Sequence, residues 1–158
     1  MDFLLNLRLQ LDEAITYQDE KRARLIALNG LKLAKTKELL GEIEYFKGQL
    51  EILNENFKKA IAHFDRAIRF NPKDGASYND RALCMVELGT IDEVLEYLDK
   101  GIKVEPDFAT IHHNKGWLLN KLGRHTEAIR CFKRALKLDR RRAVTYENLA
   151  DALYNLGD

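Results

Sequence analysis

The sequence predicts an all-α fold built from stacked pairs of antiparallel helices, and two observations support this prediction. Small and aromatic residues recur with a period of 34 residues, which is typical of stacked supersecondary units. The recurring positions are Gly48, Ala82, Gly116 and Ala150; Ala60, Val94 and Ala128; Phe64, Leu98 and Phe132; and Ala67, Gly101 and Ala135. The composition also suits helices, because 158 residues with 46% apolar content include only two prolines and nine glycines.

The first 40 residues do not follow this period, yet they have helical spacing of their own. Apolar residues at that spacing in a predicted first helix are Leu4, Leu7, Leu11 and Ile15. A second predicted helix, within residues 19–37, has a small-residue edge formed by Ala23, Ala27 and Gly30. We interpret residues 1–40 as a degenerate capping pair, because the terminal units of solenoids are usually atypical. The alternative is that the leucine-rich first helix is a dimerisation element.

Three regular helix pairs are predicted after this cap. Their first helices cover residues 39–53, 75–88 and 109–122, and their second helices cover residues 57–70, 91–104 and 125–138. Gly89 and Gly123 follow first helices, where a residue in the left-handed conformation ends a helix at little cost. Pro72 and Pro106 mark the predicted ends of second helices, because the residue before a proline avoids helical geometry.

The pattern small–x11–Ala–x3–aromatic–x2–Ala, with Pro72 and Pro106 closing two units, resembles the tetratricopeptide repeat, or TPR. This resemblance implies a TPR-type right-handed α-solenoid of about nine helices. The implied repeats are residues 41–74, 75–108 and 109–142, followed at 143–158 by the first helix of an incomplete fourth repeat. The positions that depart from the family pattern are Val94, Leu98, Gly101 and Arg140.

The sequence gives no support for a secreted protein or for a membrane-spanning protein. The opening segment contains Asp2 and Arg8 and lacks the basic start and cleavage site of a signal peptide. No apolar run is long enough to cross a membrane. Cys84 and Cys131 have no CxxC or metal-ligand spacing, which favours a reducing compartment. We therefore predict a cytoplasmic protein without membrane contact.

No catalytic or metal-binding motif is present either. The sequence has no Gly-rich phosphate loop, no HExxH and no GxSxG. The four histidines, which have no ligand spacing, are His63, His112, His113 and His125. We therefore predict that the chain is not an enzyme and holds no metal and no cofactor.

The resemblance implies that the first helices line a concave groove, which binds a peptide or helix of a partner protein. The predicted function is therefore a protein-interaction scaffold. The residues that the family pattern directs into the groove are Tyr45, Gln49, Asn79, Leu83, Val86, His113, Trp117, Asn120 and Lys121. Trp117 is emphasised because tryptophan is enriched among residues that dominate interface energy. The alternative for Trp117 is packing between the first helices of neighbouring repeats.

One known ligand class of the family can be tested against the sequence. Chaperone-binding TPR proteins hold a C-terminal carboxylate with lysine or arginine and asparagine at set groove positions. In this register those positions are Tyr45, Gln49, Asp80, Thr110 and Asn114, or, one repeat later, Asn79, Leu83, Asn114, Val144 and Asn148. Neither set includes the cations that a carboxylate needs, so we predict that a chaperone C-terminal tail is not the ligand.

The net charge of +1 hides a strong asymmetry. Residues 75–108 contain eight acidic and three basic residues, whereas residues 109–142 contain ten basic and two acidic residues. The predicted patch for an anionic partner consists of Arg130, Lys133, Arg134, Lys137, Arg140, Arg141 and Arg142. RNA binding through this patch is the alternative function, although the patch lies toward the convex side and has no aromatics for base stacking.

The C-terminal segment is predicted to be an open apolar edge, because the chain ends where another second helix should begin. The residues expected to lack cover are Leu149, Leu153 and Leu156. We expect this chain to be a fragment, for example the interaction module of a larger enzyme or regulator. The alternatives are self-association through the open edge and a natural monomer that tolerates it.

Overall fold

The computed structural model describes residues 2–157, and nine α-helices form its regular structure. They are α1 (Phe3–Thr16), α2 (Glu20–Thr36), α3 (Leu40–Leu53), α4 (Phe57–Phe70), α5 (Gly75–Glu87), α6 (Val94–Val104), α7 (Ala109–Lys121), α8 (His125–Leu138) and α9 (Ala143–Gly157). A short 3₁₀ turn, Ile91–Glu93, precedes α6. Residues 2–157 contain no strand, and none of their helices is long and apolar enough to cross a bilayer.

The predicted bounds of the regular helix pairs agree with the structure to within one residue, except at the start of α6. This helix begins at Val94, three residues later than predicted. The N-cap residue of α6 is Glu93, and its side chain makes no capping hydrogen bond. Val94 is fully buried at the position that alanine occupies in α4 and α8.

Contacts divide the chain into two compact units, and the first comprises Met1–Pro72 with Leu83–Thr90. In this unit Gly30 lies directly against the ring of Phe46. A Cβ atom at Gly48 would lie 2.7 Å from the ring of Phe64, which is fully buried. Glycine is therefore required where α2 packs on α3 and where α3 packs on α4.

The N-terminal helix α1 begins with a side-chain cap, because an oxygen of Asp2 accepts from the amides of Leu4 (3.0 Å) and Leu5 (3.2 Å). Leu4 and Leu11 are buried, as the apolar spacing predicts. Ile15, the last residue of the apolar spacing, is 41% exposed. The inner position is filled by Ala14, which lies three residues after Leu11 and is fully buried.

The second unit comprises Lys73–Ala82 with Ile91–Asp158, and it repeats the same packing device. Gly116 of α7 faces the buried ring of Phe132 on α8, while Gly101 of α6 faces Ile111 of α7. A core cluster of Leu119, Ala128, Ile129, Phe132 and Ala152 joins α7, α8 and α9. In this unit α7 thus packs on α6, α8 on α7 and α9 on α8.

Five of the connections between helices contain one residue in the left-handed conformation. Gly89 (φ 80°) and Gly123 (φ 77°) adopt it without strain. Gln18 (φ 57°), Glu38 (φ 54°) and Glu55 (φ 59°) adopt it with a side chain, which is sterically unfavourable. The sequence alone identified only the two connections that use glycine.

Replacing Glu55 with glycine is expected to raise the free energy of unfolding by about 0.5–1 kcal/mol, because glycine relieves the steric cost of a positive φ. Chemical denaturation of the wild type and the variant measures this change. Glu55→Ala is the matched control, since it removes the side chain and keeps the unfavourable backbone conformation. Equal stability of the two variants would contradict the role assigned to backbone strain.

Candidate functional site

In the second unit, one side of α7 and the start and middle of α9 carry hydrogen-bonded polar side chains. We call this surface the polar face; it consists of Thr110, His113, Asn114, Asn120, Arg142, Thr145 and Asp151. The α7 members recur at helical spacing, so they share one side of that helix. The other side of α7 carries Ile111 and Gly116, which belong to the core packing.

Arg142 joins the two helices of the polar face, although it precedes α9 in the connection from α8. Its Nη1 donates to the hydroxyl of Thr110 (2.9 Å) and its Nε donates to the hydroxyl of Thr145 (3.3 Å). The Thr145 hydroxyl in turn contacts Nδ1 of His113 at 2.9 Å. A guanidinium can only donate, so the Thr145 oxygen accepts from Arg142, while the direction of its hydrogen bond with His113 depends on the tautomer of the ring.

The ring of His113 is uncharged near neutral pH. Burial lowers the pKa of His113 to about 4, and the nearby charge of Arg142 contributes in the same direction. The ring also packs against Phe132, with 5.6 Å between the ring centroids. His113 consequently fixes the position of Thr145 and does not present an open surface.

Two further groups of hydrogen bonds extend the polar face along α7. Asn114 Nδ2 donates to Oδ1 of Asn79 (2.9 Å), and Asn79 Nδ2 donates to a carboxylate oxygen of Asp80 (3.0 Å). Asn120 Nδ2 donates to a carboxylate oxygen of Asp151 on α9 (3.0 Å). Because each amide has a partner, these side chains are ordered before any ligand arrives.

Trp117 lies on α7 between these polar groups. Its side chain is half-buried and packs against the core cluster of α7, α8 and α9. Part of the indole therefore stabilises the fold, while the remainder is open to solvent. Lys121, one turn further along, is exposed.

The sequence-predicted groove residues of the first unit have a different environment. Tyr45 is 5% exposed, its ring packs edge-on against Phe46 and Phe64, and the guanidinium of Arg8 stacks on it at 3.6 Å. Gln49 is also buried. The prediction that these two side chains form an open contact surface is wrong, because α1 supplies an arginine that covers the tyrosine. Leu83 and Val86 are half-buried.

The same correction applies to two predicted residues of the second unit, Asn79 and His113, which are 2% and 6% exposed. Asn120 is nearly as buried. Their polar atoms contact neighbouring side chains, so little of these residues is open to solvent. The period of the sequence gives the helical side on which a residue lies, whereas burial depends on the residues of the adjacent helices.

Arg142 was predicted to belong to the basic patch, but in the structure it lies in the polar face. Its guanidinium lies among Thr110, Thr145 and His113, whereas Arg140 and Arg141 are exposed. No sequence feature distinguished Arg142 from the two arginines before it. Its position is instead determined by hydrogen bonds to Thr110, 32 residues before it, and Thr145, three residues after it.

The remaining candidate residues have ordinary protein partners or lie at the surface. Histidine nitrogens contact Glu44 (His63, 2.6 Å), the carbonyl of Pro106 (His112, 2.8 Å) and Asn120 (His125, 2.6 Å). Burial raises the pKa of the Cys131 thiol, which disfavours its reactive thiolate. Of the predicted C-terminal edge, Leu153 and Leu156 are half-exposed, whereas Leu149 packs on the core cluster.

Comparison with known proteins identifies relatives of two segments of the chain. Two models of the tetratricopeptide repeat match residues 32–74 and 109–142. The Hsp70-Hsp90 organizing protein of Triticum aestivum is 40% identical over 72 residues, which cover 39% of this chain and 12% of that protein. The matched part is thus a small fraction of the length of its curated relatives.

Solved structures have the same fold. The first TPR of Spaghetti (RPAP3), bound to the HSP90 peptide SRMEEVD, has a TM-score of 0.70 and 14% identity, covering 75% of this chain and 94% of that one. The MamA protein has a TM-score of 0.66 and 14% identity, covering 98% of this chain and 82% of that one. These similarities identify the architecture as a TPR-type α-solenoid.

Proposed function

Because this chain belongs to the tetratricopeptide repeat family, we propose that it is a protein-interaction scaffold whose polar face binds a peptide segment of a partner protein. The observation that carries this proposal is the hydrogen-bonded chain Arg142–Thr145–His113, with Thr110 as the second acceptor of Arg142. Thr110, His113 and Thr145 are buried, so they hold the half-buried guanidinium of Arg142 in place before binding, and a peptide meets a donor that needs no further ordering.

The composition of the polar face favours a ligand with an anionic group near Arg142. The guanidinium lies at the beginning of α9, where the positive end of the helix dipole also attracts negative charge. The half-buried indole of Trp117 adds apolar contact area, and such aromatics often dominate binding energy. The exposed carboxylate of Asp151 lies further along α9, so a cationic group fits that end of the ligand.

The prediction that excludes a chaperone C-terminal tail is not supported. It rested on the absence of a cation at the family's clamp positions, and Arg142, the last residue of the repeat 109–142, brings a cation to one of those positions, Thr110. A structural neighbour holds an HSP90 peptide, and curated relatives are Hsp70-Hsp90 organizing proteins. The peptide SRMEEVD is therefore the first ligand to test.

Replacing Arg142 with glutamine is expected to weaken binding of SRMEEVD by about tenfold or more, because a charge-assisted contact to the peptide is lost. Fluorescence anisotropy with the labelled peptide measures this change. Arg141→Gln is the matched control, since it removes the same charge from a side chain that is 93% exposed. We expect the control to change affinity by less than about twofold.

Equal weakening by the two variants would contradict the role of the polar face, because it would reflect net charge alone. If the wild type does not bind this peptide, affinity capture from a cell lysate tests the broader proposal with the same pair. Polypeptides that Arg141→Gln retains and Arg142→Gln loses would support recognition by the polar face. Identical capture by both variants would place recognition elsewhere on the scaffold. The cytoplasmic location stays a prediction.

A further inference from the structure

A second surface of the chain carries an excess of positive charge. We call it the basic stripe; it consists of Arg130, Lys133, Arg134 and Lys137 on α8, with Arg140 and Arg141 in the connection to α9. All six side chains are exposed. They lie opposite the buried side of α8, which carries Ala128, Phe132 and Ala135. The stripe is therefore separate from the polar face, to which only Arg142 of the predicted basic patch belongs.

Most of this charge is not neutralised by the chain itself. Arg134 has a long contact to Asp107 (3.7 Å), and Arg141 has one to Asp139 (3.6 Å). Among the described residues 2–157, Arg130, Lys133, Lys137 and Arg140 have no ion pair or side-chain hydrogen bond. The one acid of α8, Glu127, is held by two nitrogens of Arg124, at 2.7 and 2.8 Å.

The corresponding helices of the other repeats do not have this feature. The residues at the positions of Arg130, Lys133, Arg134 and Lys137 are Glu96, Asp99, Lys100 and Lys103 on α6, and Ala62, Asp65, Arg66 and Arg69 on α4. On α6 the acids and bases form pairs such as Glu96–Lys100 (3.1 Å). At these positions α4 and α6 thus carry charges of both signs, and the uniformly positive charge is particular to α8.

The stripe keeps like charges at spacings of three and four residues, an arrangement that destabilises a helix without a ligand. Arg130 and Arg134 are four residues apart, and so are Lys133 and Lys137. An anionic ligand would remove this repulsion. The remaining exposed residues of α8 are Thr126 and Glu127, so the stripe offers no apolar anchor.

From these observations we propose that the basic stripe binds the phosphate backbone of a nucleic acid, without base specificity. Recognition of an acidic protein segment normally includes buried aromatic or aliphatic anchors, and stable membrane binding normally adds an apolar signal to the basic one. A phosphodiester chain needs neither, because release of its condensed counterions drives association. The guanidinium groups of Arg130 and Arg134 suit two-point contacts with phosphate oxygens.

The test is fluorescence anisotropy with labelled single-stranded RNA, single-stranded DNA and duplex DNA of random sequence, each about 20 nucleotides long, at several salt concentrations. We expect a salt dependence that corresponds to about four to six phosphate contacts, with little difference between base sequences. The triple variant Arg130→Gln/Lys133→Gln/Lys137→Gln should lose at least about tenfold in affinity and about three contacts in the salt slope.

The matched control is Lys58→Gln/Lys59→Gln/Arg69→Gln on α4, which removes three positive charges from exposed positions of the equivalent helix. It should retain binding within about twofold. Equal loss in both triple variants would overturn the proposal, because net charge and not the stripe would then govern binding. Absence of binding to every oligonucleotide, with stripe-dependent binding to polyglutamate or to phosphatidylserine vesicles instead, would also overturn it.

Discussion

Replacing Gly116 with valine is expected to lower the free energy of unfolding by about 3 kcal/mol, at the upper end of the range for overpacked sites. A Cβ atom at this position would lie 2.8 Å from the ring of Phe132 and 3.1 Å from the carbonyl oxygen of Ala128. The ring is fully buried and the carbonyl belongs to helix backbone, so neither can move aside cheaply. Chemical denaturation measures the change.

The matched control is Ala150→Val, at the position 34 residues later in the period. Ala150 is exposed on α9, so valine there alters only helix propensity and should cost about 0.5 kcal/mol. A similar loss at both positions would mean that the close approach of α7 and α8 is not the cause.

Phe132→Ala tests the other side of the same contact. Alone it should destabilise the protein by about 3–5 kcal/mol, because a fully buried ring leaves a cavity. Combined with Gly116→Val it should destabilise by less than the sum, since valine partly fills that cavity, with a coupling of about 1 kcal/mol or more. Additive effects would show that the introduced valine side chain and the Phe132 ring do not meet.

The packing of Gly116 against Phe132 could be predicted because a period fixes backbone positions. Residues separated by 34 positions have equivalent places in successive helix pairs, so a small residue at one crossing implies a small residue at the next. The same reasoning gave helix bounds to within a residue at all ends but one. Proline and glycine then marked the ends of helices whose connections use them.

The orientation of the Arg142 side chain could not be predicted, because it depends on two particular hydrogen-bond acceptors and not on the period. Thr110 and Thr145 belong to different helices, and only the folded chain brings both hydroxyls to one guanidinium. The burial of Tyr45 could not be predicted for a similar reason. The arginine that covers its ring, Arg8, comes from a segment that does not follow the repeat. Side-chain environments of a candidate site are thus set by neighbours that the repeat pattern leaves unspecified.

The second large effect concerns pH, and its origin is His113. Burial and the charge of Arg142 lower its pKa from 6.5 to about 4 in the folded protein. Between these values the unfolded chain binds more protons than the folded one, so stability falls as the pH decreases. The contribution is complete above about pH 7 and lost by about pH 4, and it amounts to roughly 3 kcal/mol at about 1.4 kcal/mol per pKa unit.

Carboxylates titrate in the same range, so the measurement compares wild type with His113→Asn at each pH. Asparagine can donate to or accept from the Thr145 hydroxyl and does not titrate, and groups common to both proteins cancel in the difference. We expect this difference to be constant above about pH 7 and to shift in favour of the variant as the pH falls to about 4. Parallel curves over the whole range would contradict the assignment.

Arg142→Gln gives a second, graded test of the same site. It removes the smaller of the two causes and leaves burial in place, so the pKa of His113 should rise only part of the way toward 6.5. The pH-dependent loss of stability should then be smaller than in the wild type and end at a higher pH. Titration of the His113 ring protons by NMR measures the pKa directly. No change in this variant would mean that Arg142 orders Thr110 and Thr145 but does not act on the charge of the histidine.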